Sequence, residues 1–437
     1  MTGLTIDHIR DPLWTRPTVV DAGQGVPIHL DLPITSCDAL TVTLSSRWRS
    51  VTCRVDELRP DDTTDLMRIE AVTPAALVPD TYDLTVAWDG GRDRMPNAVV
   101  IPDPDATSLR VAHIADPHVS AAMVDQPGAA LAGVIEQLLL LAPDVVLLTG
   151  DLVYRYGPDK EVLSADTIDR DMWRAQRLLK RLDAPLWLTA GNHDLSYPWL
   201  RRRYRERFVR PLADQFDAYS FQLGDVSFHT VEAYRFYEDE PPVTEPIGPN
   251  DDQVDAFQAG IADSSADYRV AFYHYDYRDA LTEVFEGDEL DLALCGHTSP
   301  MRAEWSGTTL MIRNLPVFEE GHIQLFEIAN GELLRRPWWR SADYPDDIPI
   351  GVEFERANDG TERRNHARVR NRTPHGFTNC RVRFLLVAGR YTVTGGRLIE
   401  EEMTGSGVTT CEVAVDLPAE STREIVVAPP GQGQRPR

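Results

Sequence analysis

Residues 144–151 read DVVLLTGD, four branched apolar residues followed by a threonine, a glycine and a lone carboxylate. A short apolar run closed by glycine is the pattern of a strand buried on both faces, and here its exit presents Asp151. Four further runs in the middle of the chain end in a similar way: RVAHIADPH (110–118), PLWLTAGNHD (185–194), RVAFYHYD (269–276) and DLALCGH (291–297). Between them lie helical patterns such as AALAGVIEQLLLLA (129–142) and DRDMWRAQRLLKRL (169–182). Strands alternating with helices predict an α/β region. In such sheets ligands bind beyond the carboxyl ends of the strands, so the polar residues at the five exits are predicted to converge on one cleft.

Residues 1–105 carry alternating runs such as ALTVTLSS and TYDLTVAWDGG, broken by Pro, Asp and Gly, which predicts an N-terminal all-β sandwich domain. The same period of two returns from 350 in NHARVRNRT, NCRVRFLLVAGRYTVTGG and VTTCEVAVDLP, predicting a C-terminal all-β sandwich over 350–437. MPNAVVIPDPDATS and RPWWRSADYPDDIPIG read as linkers around a central domain over 106–335, and PPGQGQRPR as a loose tail. A length of 437 residues suits two or three such domains.

The chain carries 69 acidic against 44 basic residues, a net charge of -25, with Lys160 and Lys180 its only lysines. Such a surface repels nucleic acid and anionic membranes, and reads first as a solubility adaptation. The opening lacks a basic start followed by an apolar stretch, so a cytoplasmic location is expected. The longest apolar neighbourhood contains Glu136, Asp144 and Asp151, too many charges for a bilayer span. Cys37, Cys53, Cys295, Cys380 and Cys411 show no CxxC spacing. Free thiols are expected, with Cys37–Cys53 and Cys380–Cys411 the pairs that could bridge strands of one domain.

Asp116 and His118 lie two apart, so in an extended segment both point to one side and can grip one ion; a carboxylate with an imidazole suits Mn, Fe or Zn. Asp151 follows a strand, where its two oxygens can bridge two cations about 3.5–4 Å apart. Asn192, His274 and His297 would complete the second ion. This order of motifs resembles the calcineurin-like metallophosphoesterase superfamily, with its D-x-H, G-D, G-N-H-[D/E], lone H and G-H-x-H, over about 109–330. The resemblance implies a β-sandwich core with flanking helices and two divalent or trivalent metal ions. Asp116, His118 and Asp151 would hold the first ion, and Asp151 would bridge to a second held by Asn192, His274 and His297. A hydroxide between the ions would attack phosphorus in a small phosphomonoester or phosphodiester. His193 would protonate the leaving oxygen, oriented by Asp194.

One position departs from the pattern. Ser299 stands where the family's last histidine completes the first metal's shell, and a neutral hydroxyl is a poor ligand beside imidazole. The first metal is therefore expected to bind more weakly, with water or His322 as alternative occupants. Ser299 also motivates a competing reading, a degenerate phosphoesterase domain that acts as a binding or scaffold module. Retention of His193 and Asp194 favours an enzyme. Arg155 in GDLVYRYG resembles the phosphate-contacting arginine of G-D-x-V-D-R-G, although Tyr154 replaces the aspartate; phosphate contact and a plain surface arginine remain alternatives. The basic run RRRYRERFVR (201–210) reads first as a solvated helix face, and second as an attractor for an anionic substrate. Tyr154, Tyr156, Tyr197, Tyr275 and Tyr277 are candidates for an aromatic wall or for packing. His113 and His229, inside apolar runs, read as hydrogen-bonded core residues.

Overall fold

The five apolar runs form the strands Leu109–Ile114, Val145–Thr149, Leu186–Thr189, Tyr268–Phe272 and Leu292–Cys295. They divide between two sheets. The first runs in the order Leu186–Thr189, Val145–Thr149, Leu109–Ile114, His322–Ala329, Glu332–Arg335, its first three members parallel and the rest antiparallel. The second runs Ala218–Leu223, Val226–Val231, Tyr268–Phe272, Leu292–Cys295, Thr309–Arg313, Arg302–Ser306, parallel at its centre with an antiparallel hairpin at each edge.

Alternation of side chains across these strands explains why their sequences are apolar throughout. Val270 and Phe272 join Leu292, Leu294, Val111, Val145, Leu147 and Trp187 in one cluster drawn from both sheets. Ala271 and Tyr273 turn the other way and pack with Phe257 and Ile261 of the helix Asp251–Ala262. A second helix, Ala165–Leu179, is opened by Ser164, whose hydroxyl accepts the N–H of Thr167 at 3.3 Å, and buries Ile168, Met172, Ala175 and Leu179. That spacing is a helical stripe.

This computed structural model describes residues 8–32, 36–37, 40–122, 126–157, 159–209, 218–232, 249, 251–287, 289–344, 348–404 and 407–431. The chain forms two compact units, Met1–Ala132 with Asp144–Trp338, and Gly133–Pro143 with Trp339–Arg437. In the first unit the N-terminal strands order as Ile9–Asp11, Gly25–Leu30, Met67–Val72, Ser50–Pro60, Thr41–Ser45, Asp80–Trp88, Gly91–Ile101, Thr18–Val19. The strand Asp80–Trp88 alternates as read, burying Tyr82, Leu84 and Val86. Val19 and Val100 pack against the cluster of the central strands, and Asn97 donates to the carbonyl of Leu182 at 2.7 Å.

The second unit holds two antiparallel sheets, Ile350–Phe354, Asn365–Asn371, Ser421–Ala428, Thr392–Thr394 and Phe377–Val387, Val408–Leu417, Arg397–Met403. The stretch read as a linker before it is partly packed: Trp339 is buried, meets the Phe377 ring at 5.3 Å and donates its indole N–H to Gln137 at 2.8 Å. None of the five cysteines is joined in a disulfide. Among the described residues no helix is long and apolar enough to cross a membrane. Arg210 and the end of the tail, 432–437, lie outside the described residues.

Trp187 is fully buried and stacks on Phe221 with centroids 3.9 Å apart. Trp187→Ala is expected to destabilise the first unit by about 3–5 kcal/mol. Urea unfolding followed by circular dichroism measures it, and an unchanged midpoint would contradict the two-sheet core.

Candidate metal centre

The parallel strands carry their following turns to one end of the two sheets, and backbone hydrogen bonds lock the turns together. The N–H of Asp116 donates to Gly150 O at 3.1 Å, that of His118 to Asp151 O at 3.0 Å, and that of Gly296 to His274 O at 3.1 Å. Gly150 has a φ of +76°, and a Cβ there would lie 2.5 Å from the backbone nitrogen of Gly191. Only glycine lets the turns after Val145–Thr149 and Leu186–Thr189 meet backbone to backbone. Asp116, His118, Asp151 and His297 all sit in the left-handed region, at φ of 51°, 42°, 56° and 72°. Non-glycine residues occur there rarely and cluster at functional sites.

Asp151 lies at the centre. Its Oδ1 accepts the N–H of His193 at 2.7 Å, and its Oδ2 stands 3.1 Å from His118 Nε2 and 3.3 Å from His274 Nε2. His274 donates its Nδ1–H to Thr149 O at 2.8 Å, which turns Nε2 toward Asp151 and toward Asn192 Oδ1 at 3.1 Å. Asp116 Oδ2 accepts the N–H of His297 at 3.0 Å, and its Oδ1 lies 3.8 Å from His118 Nε2. Two sets of donor atoms each fall within 4.8 Å of one another: those of His118, Asp151 and His193, and those of Asp151, His274 and His297. His118, Asp151, His274 and His297 fall in these sets together with His193, whereas Asp116 lies outside both and joins through His118 and His297, and Asn192 joins through His274.

The chemistry of this cluster fits cations. Asp116 Oδ1 and His297 Nδ1 are buried without a hydrogen-bond partner. The neutral His274 tautomer set by Thr149 aims a lone pair at two oxygens, an arrangement that only a cation or an extra proton relieves. The neighbouring carboxylates favour a proton there for the same reason. Burial works against charge on His274, yet Asp151 and Asp116 raise it to about 9; burial also opposes charge on His118, and Asp151 overcomes it. Burial opposes ionisation of Asp151 as well, but the surrounding imidazoles hold its carboxyl well below the usual range. Burial pushes Asp116 up to about 6 and holds His297 down to about 4, the latter helped by His274.

Asp194 does not orient the His193 ring as expected. Its Oδ1 accepts the N–H of Leu152 and its Oδ2 that of Gly191, each at 3.0 Å, so it ties the Gly150–Asp151 turn to the Gly191–Asn192 turn. Burial, with Asp151 nearby, raises its carboxyl to about 7. Arg155 is not a surface arginine: it is 3% exposed, donates from Nη1 to Asn192 O at 2.8 Å and lies over the Tyr156 ring at 4.7 Å. Ser299 is exposed. His322 is buried beside Trp338 and outside both donor sets.

In the basic run, Arg202 and Arg203 are exposed, Arg201 is buried against Leu195 O at 2.7 Å and Arg207 pairs with Asp169 at 2.7 Å. His113 and His229 are core residues bonded to Thr149 and to Ser220 and Ser227. Phe318, 6.1 Å from the His118 ring, was not legible as a neighbour of the site; nothing in its own stretch of sequence marks it.

Residues 109–301 match the family model of the calcineurin-like phosphoesterases. No curated protein matches the chain. Similar solved structures include a protein of Staphylococcus aureus provisionally named a 5′-nucleotidase, at 14% identity and TM-score 0.38, covering 53% of this chain and 54% of that one. An archaeal phosphodiesterase shares 12% identity at TM-score 0.29, covering 53% of this chain and 99% of its own. Vps29 of Entamoeba histolytica, solved with zinc, shares 13% identity at TM-score 0.25, with coverage of 53% and 99%. The chain spans about half the length of the first of these.

Two outcomes are expected of metal titrations. A cation must displace the proton on His274, so binding at pH 7 releases protons and apparent affinity rises with pH until about 9. Calorimetry in buffers of different ionisation enthalpy measures this, and a buffer-independent heat would contradict it. Asp151→Asn should weaken metal binding at both donor sets together, and a loss at only one of them would show that Asp151 does not serve both.

Proposed function

We propose that this chain, whose residues 109–301 match the calcineurin-like phosphoesterase family model, hydrolyses a small phosphomonoester or phosphodiester with two metal ions, manganese, iron or zinc. Asp116, His118 and Asp151 would hold the first ion, and Asp151, Asn192, His274 and His297 the second. The observation that carries this reading is the Asp151 carboxylate, which faces two imidazoles through one oxygen and a backbone N–H through the other. Bound there, divalent ions would activate water and neutralise charge on the phosphoryl oxygens.

The chain's own groups supply the rest. Burial, with His118 and Arg155 nearby, holds His193 down to about 3, and Asp151 only partly opposes them. An anionic phosphoryl group beside the ring raises its proton affinity, so His193 takes up a proton with the substrate and delivers it to the leaving oxygen. Arg155 braces Asn192 through its carbonyl and offers further N–H groups to the phosphoryl oxygens. The net charge of -25 disfavours nucleic acid and favours a small ester. We take 1–105, 106–335 and 350–437 as the functional divisions, with β domains before and after a cytoplasmic catalytic domain in the sequence. Exposure of Ser299 favours the second reading, a weakened site retained as a binding module.

Hydrolysis of p-nitrophenyl and bis-p-nitrophenyl phosphate with Mn, Fe, Zn or Ni supplied in turn separates the two. Turnover with at least one metal is expected; none with any would leave the binding module. His193→Gln should lower kcat about 10²- to 10⁴-fold while metal affinity holds. Ser299→His should tighten the weaker ion and raise the rate at limiting Mn, and an unchanged affinity would remove Ser299 as the cause of weak binding.

A further inference from the structure

His193 lacks the support expected of a proton donor. Asp194 is turned away to Leu152 and Gly191, and no carboxylate hydrogen-bonds the His193 ring among the described residues. Its Nδ1 receives only the backbone N–H of Arg155, at 3.5 Å, too long to fix a ring by itself. Aromatic rings surround it instead. Tyr154 stacks on it with centroids 4.6 Å apart and planes 27° from parallel, Tyr156 meets it edge-on at 5.8 Å, and His118 lies 5.1 Å away. The stacking loop is itself held: Arg155 clamps the carbonyl of Asn192, the residue before His193, and Leu163 donates its N–H to Arg155 O at 2.9 Å.

We propose that Tyr154 is the positioning residue of His193, fixing the imidazole by ring stacking in a site where no carboxylate does so. Tyr154 stands where the G-D-x-V-D-R-G pattern has aspartate, so its loop brings a ring face to His193 in place of a charge. Offset stacking of this kind contributes about 0.5–1.5 kcal/mol beyond area burial, enough to select one ring orientation over another. The hydroxyl of Tyr154 has no part in this. The chemistry rests on the phosphoesterase reading above; the geometry does not.

Two measurements test it on the full-length chain. In metal-free protein with labelled histidine, the His193 ring protons, identified by their disappearance in His193→Gln, should carry an upfield ring-current shift. Tyr154→Leu should remove that shift and Tyr154→Phe should keep it. In the metal-loaded chain, Tyr154→Leu should lower kcat about tenfold or more for an alkyl phosphate, whose leaving group needs a proton, and much less for p-nitrophenyl phosphate, while Tyr154→Phe restores the alkyl rate. Persistence of the ring-current shift in Tyr154→Leu overturns the proposal, as does an equal loss with both esters or a weakened Mn affinity. If the wild-type chain turns over no ester, the phosphoesterase reading fails, and the spectra still decide whether Tyr154 holds His193.

Discussion

The Asp151 carboxylate is the constraint on which the rest of the centre depends. It leaves a buried strand through a left-handed residue, with one oxygen tied to the backbone of a turn 42 residues later and the other shared by two imidazoles. Burial of such a charge is costly unless every lone pair is answered. The answers come from three other strand exits, so a single side chain enforces the meeting of segments far apart in the sequence. Asp194 repeats the device with backbone alone, spanning Leu152 and Gly191.

This preorganisation has a source in the scaffold. Left-handed conformations at non-glycine residues cost of order 1 kcal/mol or more each and persist only where their surroundings over-determine them. Here the surroundings are strands buried on both faces, with Trp187, Phe228 and Phe272 between the sheets and a helix behind Tyr268–Phe272. A rigid double-sided core lets the turns hold geometry that a surface loop would relax.

How much of this the sequence discloses follows from how local each signal is. Strand exits were legible because an apolar run and the polar residue after it are neighbours in the chain, and spacing alone puts Asp116 beside His118. The division of five strands between two sheets was not legible, since a strand apolar on both faces looks the same in either sheet. Nor was the partner of Asp194: its carboxylate bonds to Leu152, whose approach depends on Gly150 and Gly191 meeting, a contact that no local pattern encodes. Arg155 read as possible surface for the same reason, its burial being decided by the Asn192 turn. His113 and His229 were readable as core because polar residues inside apolar runs find partners there.

The glycine contact at the floor of the cleft also bears on how such a domain can diversify. Side chains at Gly150, Gly191 or Gly296 would strike backbone or the carboxylates of Asp151 and Asp116, so the floor admits almost no variation. New selectivity is more easily gained along the rim, where Tyr156, Tyr275 and Phe318 are half-buried. Related chains with different appetites should differ there first, above a bed that stays the same.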